Sequence, residues 1–199
     1  MVVFNPKTKT LFKRDESFNL TKNLTDERYG LIRAWLVTKK MDGMSVILST
    51  GENDYYGRSA NTNFNAEQQL YLRSELNWVV RKLEYHGIKE VDIYAELVGP
   101  GIQGNPHGLD GLSLYVFDVR LNGYWLDFKN VEDIAQKAEL QTVTSFGMMN
   151  LARAQKAVEA MRDSTEKHYY EGIVARTEPY LYDNQGNRIM WKLKCRDLK

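Results

Sequence analysis

Short strand-like segments dominate this sequence and limit the folds that its 199 residues can adopt. Apolar residues alternate with polar ones, or form short apolar runs, as is typical of strands. The predicted strands cover residues 31–40, 44–49, 91–98, 114–121, 124–128, 172–176 and 189–195. The run Asp183-Asn184-Gln185-Gly186-Asn187 predicts a hairpin turn before the last strand.

Two longer helices and a short one are predicted between these strands. Residues 65–85 carry apolar side chains at helical spacing, and His86-Gly87 indicates the end of that helix. A second helix is predicted over 145–161 and a short one over 131–138. Because strands and helices do not alternate one by one, we expect an α+β fold with antiparallel sheets flanked by helices. No repeat or Pro/Gly-rich linker interrupts the chain, so we expect a single domain over 1–199.

The overall composition excludes some classes of protein but indicates no chemistry. Hydrophobic residues make up 43% of the chain and charged residues 27%, as in ordinary globular proteins. The single cysteine, Cys195, excludes an internal disulfide, and no apolar run of about 18 residues predicts a membrane span. The first residues lack the apolar core of a signal peptide, so we expect a cytoplasmic protein without a membrane partner.

The run Lys40-Met41-Asp42-Gly43 lies between two predicted strands. It places an amine and a carboxylate beside a glycine turn, an arrangement suited to a nucleophilic lysine. Taken alone, the four residues fit a solvated hairpin turn better than a nucleophile site.

Two further segments near the end of the chain combine charge with strand periodicity. Glu171 directly precedes the predicted strand 172–176. In the last strand, alternation points Lys192 and Lys194 to one face and apolar side chains to the other. Two lysines on one face suit an anion such as a triphosphate, although an edge strand protected by lysine has the same pattern.

Two more candidates lie in the middle of the chain. Glu96 ends a predicted strand and is followed by a Gly/Pro-rich loop, of the kind that brings backbone close to a ligand. Phe117 lies in a predicted buried strand, where it is either a core residue or a platform on which a base stacks.

Together, in this order, these segments resemble the collinear motifs of the covalent nucleotidyltransferase superfamily, which comprises polynucleotide ligases and mRNA capping enzymes. The resemblance spans Lys40 to Lys194 and includes the segments KMDG, LYVFDVR, EGIVAR and WKLKC. The segment ELVGPGIQGN, residues 96–105, is similar to the RNA ligase 2-type branch. The resemblance therefore implies a nucleotidyltransferase fold and an ATP-dependent RNA ligase.

The resemblance also implies roles for individual residues in binding ATP. Lys40 would be the nucleophile that forms a covalent lysyl–AMP. Glu96 would bind the ribose hydroxyls and Phe117 would stack on adenine. Lys192 and Lys194 would bind the phosphates. Arg58 lies at about the spacing at which the family has an arginine that contacts the nucleotide.

A divalent cation and an RNA substrate follow from the same resemblance. Asp42, Glu96 and Glu171 would contact Mg²⁺ or Mn²⁺ through water, since these ions prefer oxygen ligands. Positive charge from the cation and from Lys192 and Lys194 would favour the neutral form of the attacking amine and stabilise the leaving pyrophosphate. AMP would then pass to the 5′-phosphate of nicked or broken RNA, and attack by a 3′-hydroxyl would seal the break.

Two departures from the family pattern bear on these expectations. Lys39 stands where the family usually has glutamate, but alternation sends Lys39 and Lys40 to opposite faces, and the spacing to Asp42-Gly43 selects Lys40. Related ligases generally carry an additional domain, and we expect no OB-type domain within 1–199. The alternatives are a DNA ligase, an adenylylating subunit that needs a partner, or a non-catalytic module that binds nucleotide or RNA.

Overall fold

The computed structural model describes residues 2–3, 8–59, 61–164 and 169–198. The helices are α1 (Arg28–Leu31), α2 (Ala66–Tyr85), α3 (Phe128–Lys137) and α4 (Leu151–Asp163), with a 3-10 turn at Cys195–Asp197. The strands are β1 (Lys9–Thr10), β2 (Phe12–Arg14), β3 (Leu20–Leu24), β4 (Trp35–Lys40), β5 (Met44–Ser49), β6 (Asp54–Gly57), β7 (Val91–Val98), β8 (Ser113–Leu121), β9 (Tyr124–Trp125), β10 (Gln141–Thr142), β11 (Ser145–Met149), β12 (Gly172–Arg176) and β13 (Met190–Lys194). None of the helices in these ranges is both long enough and apolar enough to cross a membrane.

The chain divides into two compact units. One consists of Met1–Asn5 and Asp42–Val143, and we call it the Glu96 unit. The other consists of Pro6–Met41 and Thr144–Lys199, and we call it the Lys40 unit. The boundary between Met41 and Asp42 falls inside the predicted lysine motif, so each unit receives part of it.

The Lys40 unit is built on a five-stranded sheet in the order β1-β13-β12-β4-β11. Neighbouring strands are antiparallel except for β1 and β13. Apolar side chains on one face of the central strands are fully buried, and α4 covers them with Ala154 and Val158: Trp35, Val37, Ile173, Ala175, Trp191 and Leu193. Trp35 and Trp191 meet edge to face in this core, with ring centroids 5.7 Å apart. Period-2 alternation sends the intervening side chains to the opposite face.

The Glu96 unit contains a six-stranded sheet in the order β10-β8-β7-β5-β6, with β9 paired to β8. All of these pairs are antiparallel except β10 with β8. Helix α2 begins with a capping box between Asn65 and Gln68 and buries one apolar stripe: Leu72, Leu76, Val79 and Leu83. Helix α3 begins at the side-chain cap of Asp127.

The predicted α+β class with antiparallel sheets is confirmed. Strands 44–49, 91–98 and 172–176 have their predicted bounds. The helix predicted over 65–85 is α2, which begins one residue later, at Ala66. The turn at Asp183 is also present, closed by a bridge between Tyr182 and Arg188. The prediction of one nucleotidyltransferase domain without an OB-type domain remains a prediction.

The predicted helix over 145–161 is wrong in its first part. Ser145–Met149 forms strand β11, which pairs with β4, and α4 starts only at Leu151. Gly147 has a φ of 78°, a left-handed conformation that does not occur within a right-handed helix. Asn150 then caps α4 by accepting a hydrogen bond from the Arg153 N–H. Pairing with β4 has overridden a local pattern that is compatible with either structure.

Two predicted strands are shorter than expected, and a helix occupies one end of each predicted range. Residues 28–31 form the single turn α1, and the strand predicted from residue 31 begins at Trp35. The strand predicted over 124–128 ends at Trp125, since Asp127 accepts a hydrogen bond from the Asn130 N–H and starts α3 at Phe128.

Candidate active site

Three lysines lie on one face of the sheet in the Lys40 unit. Gly172 on β12 pairs with Lys40 on β4 and with Lys194 on β13. Directly paired residues point to the same face, so the two lysines lie on either side of a glycine that has no side chain. Lys192 lies two residues from Lys194 on β13, so its side chain points to the same face of the sheet. The predicted lysine cluster is thus brought together by the register of three strands.

The Glu171 carboxylate joins two of these lysines. Lys40 Nζ donates a hydrogen bond to Glu171 Oε2 at 2.5 Å, and Lys194 Nζ forms an ion pair with Glu171 Oε1. Lys40 Nζ also donates to the Met41 carbonyl at 3.2 Å. The Glu171 side chain is only 4% exposed, and a carboxylate so buried is tolerated because both of its oxygens are paired with cations.

Gly172 allows this arrangement because no other residue fits its position. Its φ is +147°, which side chains rarely tolerate, and an added Cβ would lie 2.1 Å from the Leu193 carbonyl oxygen. The glycine of the EGIVAR segment therefore lets β12 lie close against β13 beside the bridged lysines.

Lys39 points away from this cluster. It pairs with Ile173, whose side chain belongs to the buried core on the opposite face. Its amine lies 5.0 Å from the centroid of the Tyr170 ring, and burial lowers the pKa of Lys39. The geometry agrees with the prediction from alternation that Lys39 and Lys40 point to opposite faces.

Glu96 and Phe117 come together on one face of the sheet in the Glu96 unit. Glu96 pairs with Ser45 and Tyr115 in the middle of the sheet. Phe117 lies in a β-bulge of β8 and packs in the cluster that contains Tyr94. Because Tyr94 and Glu96 are two residues apart on β7, the carboxylate and the predicted stacking ring share a face.

Arg58 follows the edge strand β6. Gly57 pairs with Val46, so Arg58 leaves the sheet level with Ser45, the strand partner of Glu96. Its side chain is exposed and forms no hydrogen bond or ion pair with another residue of the described ranges. The predicted arginine therefore lies near Glu96 in register and is accessible to a ligand.

Asp42 has a neighbour that the sequence reasoning missed. Its backbone N–H donates to Nε2 of His107 at 3.2 Å. No pattern in the sequence assigned a role to His107, although it follows the unusual Gly/Pro-rich segment by only two residues. That position in the loop was the one available signal.

The contacts of Asp42, Glu96 and Glu171 with a metal ion stay a prediction. Among the residues described, no three His, Cys, Asp or Glu side chains form a group that could hold a metal. The Glu171 carboxylate is already bonded to two ammonium groups.

The chain thus combines an α+β fold with a lysine bonded to a buried glutamate and a second lysine paired with the same carboxylate. The model of the RNA ligase family matches residues 33–194, most of the chain. The chain therefore belongs to the RNA ligase family. No curated protein is significantly similar to it in sequence.

Solved structures with the same fold include several of an RNA ligase from Naegleria gruberi. A lysine-to-alanine mutant with ATP and Mn is 18% identical with a TM-score of 0.61, over 81% of this chain and 50% of that one. The complex with PPi is 18% identical with a TM-score of 0.62, over 98% and 60%. A lysine-to-methionine mutant with AMP and Mn is 17% identical with a TM-score of 0.63, over 96% and 61%. The chain spans between half and about three fifths of the length of these structures.

Proposed function

We propose that this chain is the adenylyltransferase part of an ATP-dependent RNA ligase and forms a covalent lysyl–AMP at Lys40. The observation that carries the proposal is the bridge from Lys40 through Glu171 to Lys194. It holds the candidate nucleophile and a cation for phosphate beside one buried carboxylate. Family membership over residues 33–194 supports the same reaction.

In the first step the Lys40 nitrogen attacks the α-phosphorus of ATP. A P–N bond forms, the bond to the bridging oxygen of the β-phosphate breaks, and pyrophosphate leaves, while the amine gives up a proton to solvent. Lys194 is paired with the same carboxylate as Lys40, and Lys192 shares its face of the sheet. Cations at these positions suit the phosphates of ATP and the charge that develops on the leaving group.

The other roles implied by the family resemblance belong to the same proposal. Glu96 binds the ribose and Phe117 stacks on the adenine, and their shared face in the Glu96 unit supports this pairing. Arg58 contacts the nucleotide. Asp42, Glu96 and Glu171 would hold Mg²⁺ or Mn²⁺ through water, and the cation would supply charge neutralisation at the phosphates. The related structures with ATP or AMP and Mn support this choice of ligands.

The second and third steps involve RNA. AMP moves from Lys40 to the 5′-phosphate of an RNA break, and the adjoining 3′-hydroxyl attacks that phosphate, which joins the strands and releases AMP. Because the chain covers only part of the length of its structural neighbours, an accessory domain or protein that helps to bind RNA is part of the proposal.

Labelled ATP tests the first step. After incubation with ATP and Mg²⁺ or Mn²⁺, denaturing electrophoresis should show an AMP adduct in the wild type and in Lys39→Ala, but not in Lys40→Ala. The neighbouring lysine is the matched control because it points to the opposite face. An adduct that survives Lys40→Ala contradicts the assignment of the nucleophile. ATP binding without any adduct indicates a non-catalytic module, and labelling by GTP or NAD indicates another branch of the superfamily.

Nicked duplexes test the later steps. We expect sealing of a nick whose 3′-hydroxyl end is RNA, measured as the appearance of the joined strand on a denaturing gel. A matched all-DNA duplex is the control. Sealing of DNA in preference to RNA would overturn the RNA assignment, and RNA adenylylation without sealing would indicate a subunit that needs a partner.

A further inference from the structure

The loop that follows β7, residues 99–112, has no role in the chemistry described so far, yet it is firmly built. The Asn105 side chain donates to the Leu109 carbonyl at 2.8 Å and accepts from the Leu109 N–H at 3.1 Å. Ile102 is 2% exposed and anchors the loop in the core. At Gly99, φ is +131° and an added Cβ would lie 2.5 Å from the Gly111 carbonyl oxygen, so the two ends of the loop lie close together.

This braced loop presents His107 to the lysine motif. Its Nε2 accepts the hydrogen bond from the Asp42 N–H at 3.2 Å, across 65 residues of sequence. A ring nitrogen that accepts carries no proton, so the proton of the neutral ring lies on Nδ1. Because β5 begins only at Met44, the Asp42 N–H lies outside the strand pairing, and His107 supplies a partner for it.

Gly43, the residue after Asp42, lies close against strand β7. An added Cβ at Gly43 would lie 2.3 Å from the Leu97 carbonyl oxygen, and Met44 pairs with Leu97. The turn that follows the candidate nucleophile is therefore fixed by β7 at Gly43 and by the loop at Asp42. The bond from His107 therefore restrains the main chain two residues beyond Lys40.

We propose that His107 is a positioning residue for lysyl–AMP formation, acting through the main chain of Asp42. The bond fixes the main chain of Asp42, two residues after Lys40, and His107 acts by holding that segment. This inference rests on the proposed adenylylation of Lys40. It gives the Gly/Pro-rich loop a function: the loop braces the imidazole that holds the lysine motif in place.

Amide hydrogen exchange measured by NMR tests the hydrogen bond directly and does not depend on activity. Exchange of the Asp42 amide should quicken by about two- to tenfold in His107→Ala and His107→Asn, the range expected for one hydrogen bond. In His107→Gln the amide oxygen can take the place of Nε2, so protection should persist. The Ile47 amide within β5 is the internal control and should not change. Equal exchange at Asp42 in wild type and His107→Ala would overturn the inference.

The rate of lysyl–AMP formation in a single turnover tests the positioning role. We expect a loss of about two- to tenfold in His107→Ala and His107→Asn, near-normal rates in His107→Gln, and an unchanged concentration of ATP at half-maximal rate. Equal losses in the Gln and Asn variants would show that the ring only fills space and would overturn the inference. Failure of the wild type to form lysyl–AMP would instead refute the proposed function, while amide exchange would still decide whether His107 holds Asp42.

Discussion

The two units of this chain carry opposite charge. The Lys40 unit contains 19 lysines and arginines against 11 acidic residues, a net charge of +8. The Glu96 unit contains 8 against 15, a net charge of −7. The overall charge of +1 hides this division, so a nearly neutral chain can still offer a strongly basic part to a polyanion.

Buried or half-buried carboxylates also differ between the units. In the Lys40 unit, Glu171 is paired with two lysines. In the Glu96 unit, burial raises the pKa of Glu75 and of Asp92, and Asp92 accepts a hydrogen bond from Ser49 with the Arg120 guanidinium 3.9 Å away. The buried carboxylate of the Lys40 unit is thus compensated by two cations, whereas burial dominates the two carboxyls of the Glu96 unit.

The largest expected effect concerns the backbone that brings the lysines together. Gly172→Ala should lower the free energy of unfolding by about 3–6 kcal/mol, because it adds a clash with the Leu193 carbonyl to an unfavourable φ. Gly101→Ala is the control in the Glu96 unit: its φ is also positive, but an added Cβ meets nothing within 4 Å. That change should cost only about 1–2 kcal/mol. Urea denaturation measures both, and equal losses would contradict the role given to close packing at Gly172.

The next largest effect concerns phosphate binding by the Lys40 unit. Lys194→Ala should slow lysyl–AMP formation by about 10²–10³-fold, as expected when a cation that stabilises the transition state is removed. Lys156→Ala, on the exposed side of α4 in the same unit, should leave the rate unchanged. Labelled ATP in a single turnover measures both rates. Near-normal labelling of the Lys194 variant at unchanged stability would show that Lys194 does not serve the phosphates.

A smaller effect is expected on RNA binding, because the positive charge of the Lys40 unit suits the phosphate backbone of RNA. The double change Arg153→Glu and Lys156→Glu should weaken binding of nicked RNA by about tenfold near 0.1 M salt and reduce the salt dependence. The same charge change in the Glu96 unit, Lys89→Glu with Lys129→Glu, should weaken binding less. Fluorescence anisotropy across a salt series compares the two variants. Equal losses would mean that only total charge matters and that the division into units does not.

The smallest effect concerns a buried acid of the Glu96 unit. Burial raises the pKa of Glu75, so its charge disfavours folding as pH rises above the ordinary glutamate range. Glu75→Gln should therefore stabilise the protein at pH 7, by less than about 1 kcal/mol after solvent screening, with no gain at pH 3 where the wild-type carboxyl is protonated. Thermal unfolding at both pH values measures the difference. A gain that is independent of pH would contradict burial of charge as its cause.

Much of the fold followed from local patterns. Alternation placed Lys192 and Lys194 on one face and separated Lys39 from Lys40, because side chains in a strand alternate whatever its partners are. The same reasoning failed at Ser145–Met149, where an apolar pattern suits both helix and strand. Pairing with β4 decided the outcome there, and that partner lies about a hundred residues away in the sequence.

The sequence by itself determined which residues could carry the chemistry, since lysine, glutamate and glycine at these positions limit the reaction to a few classes. Only the tertiary structure decided which of them meet. The bond from Lys40 to Glu171 spans 131 residues, and that from Asp42 to His107 spans 65. Strand register and loop packing set such contacts, and these depend on distant partners that no local periodicity encodes.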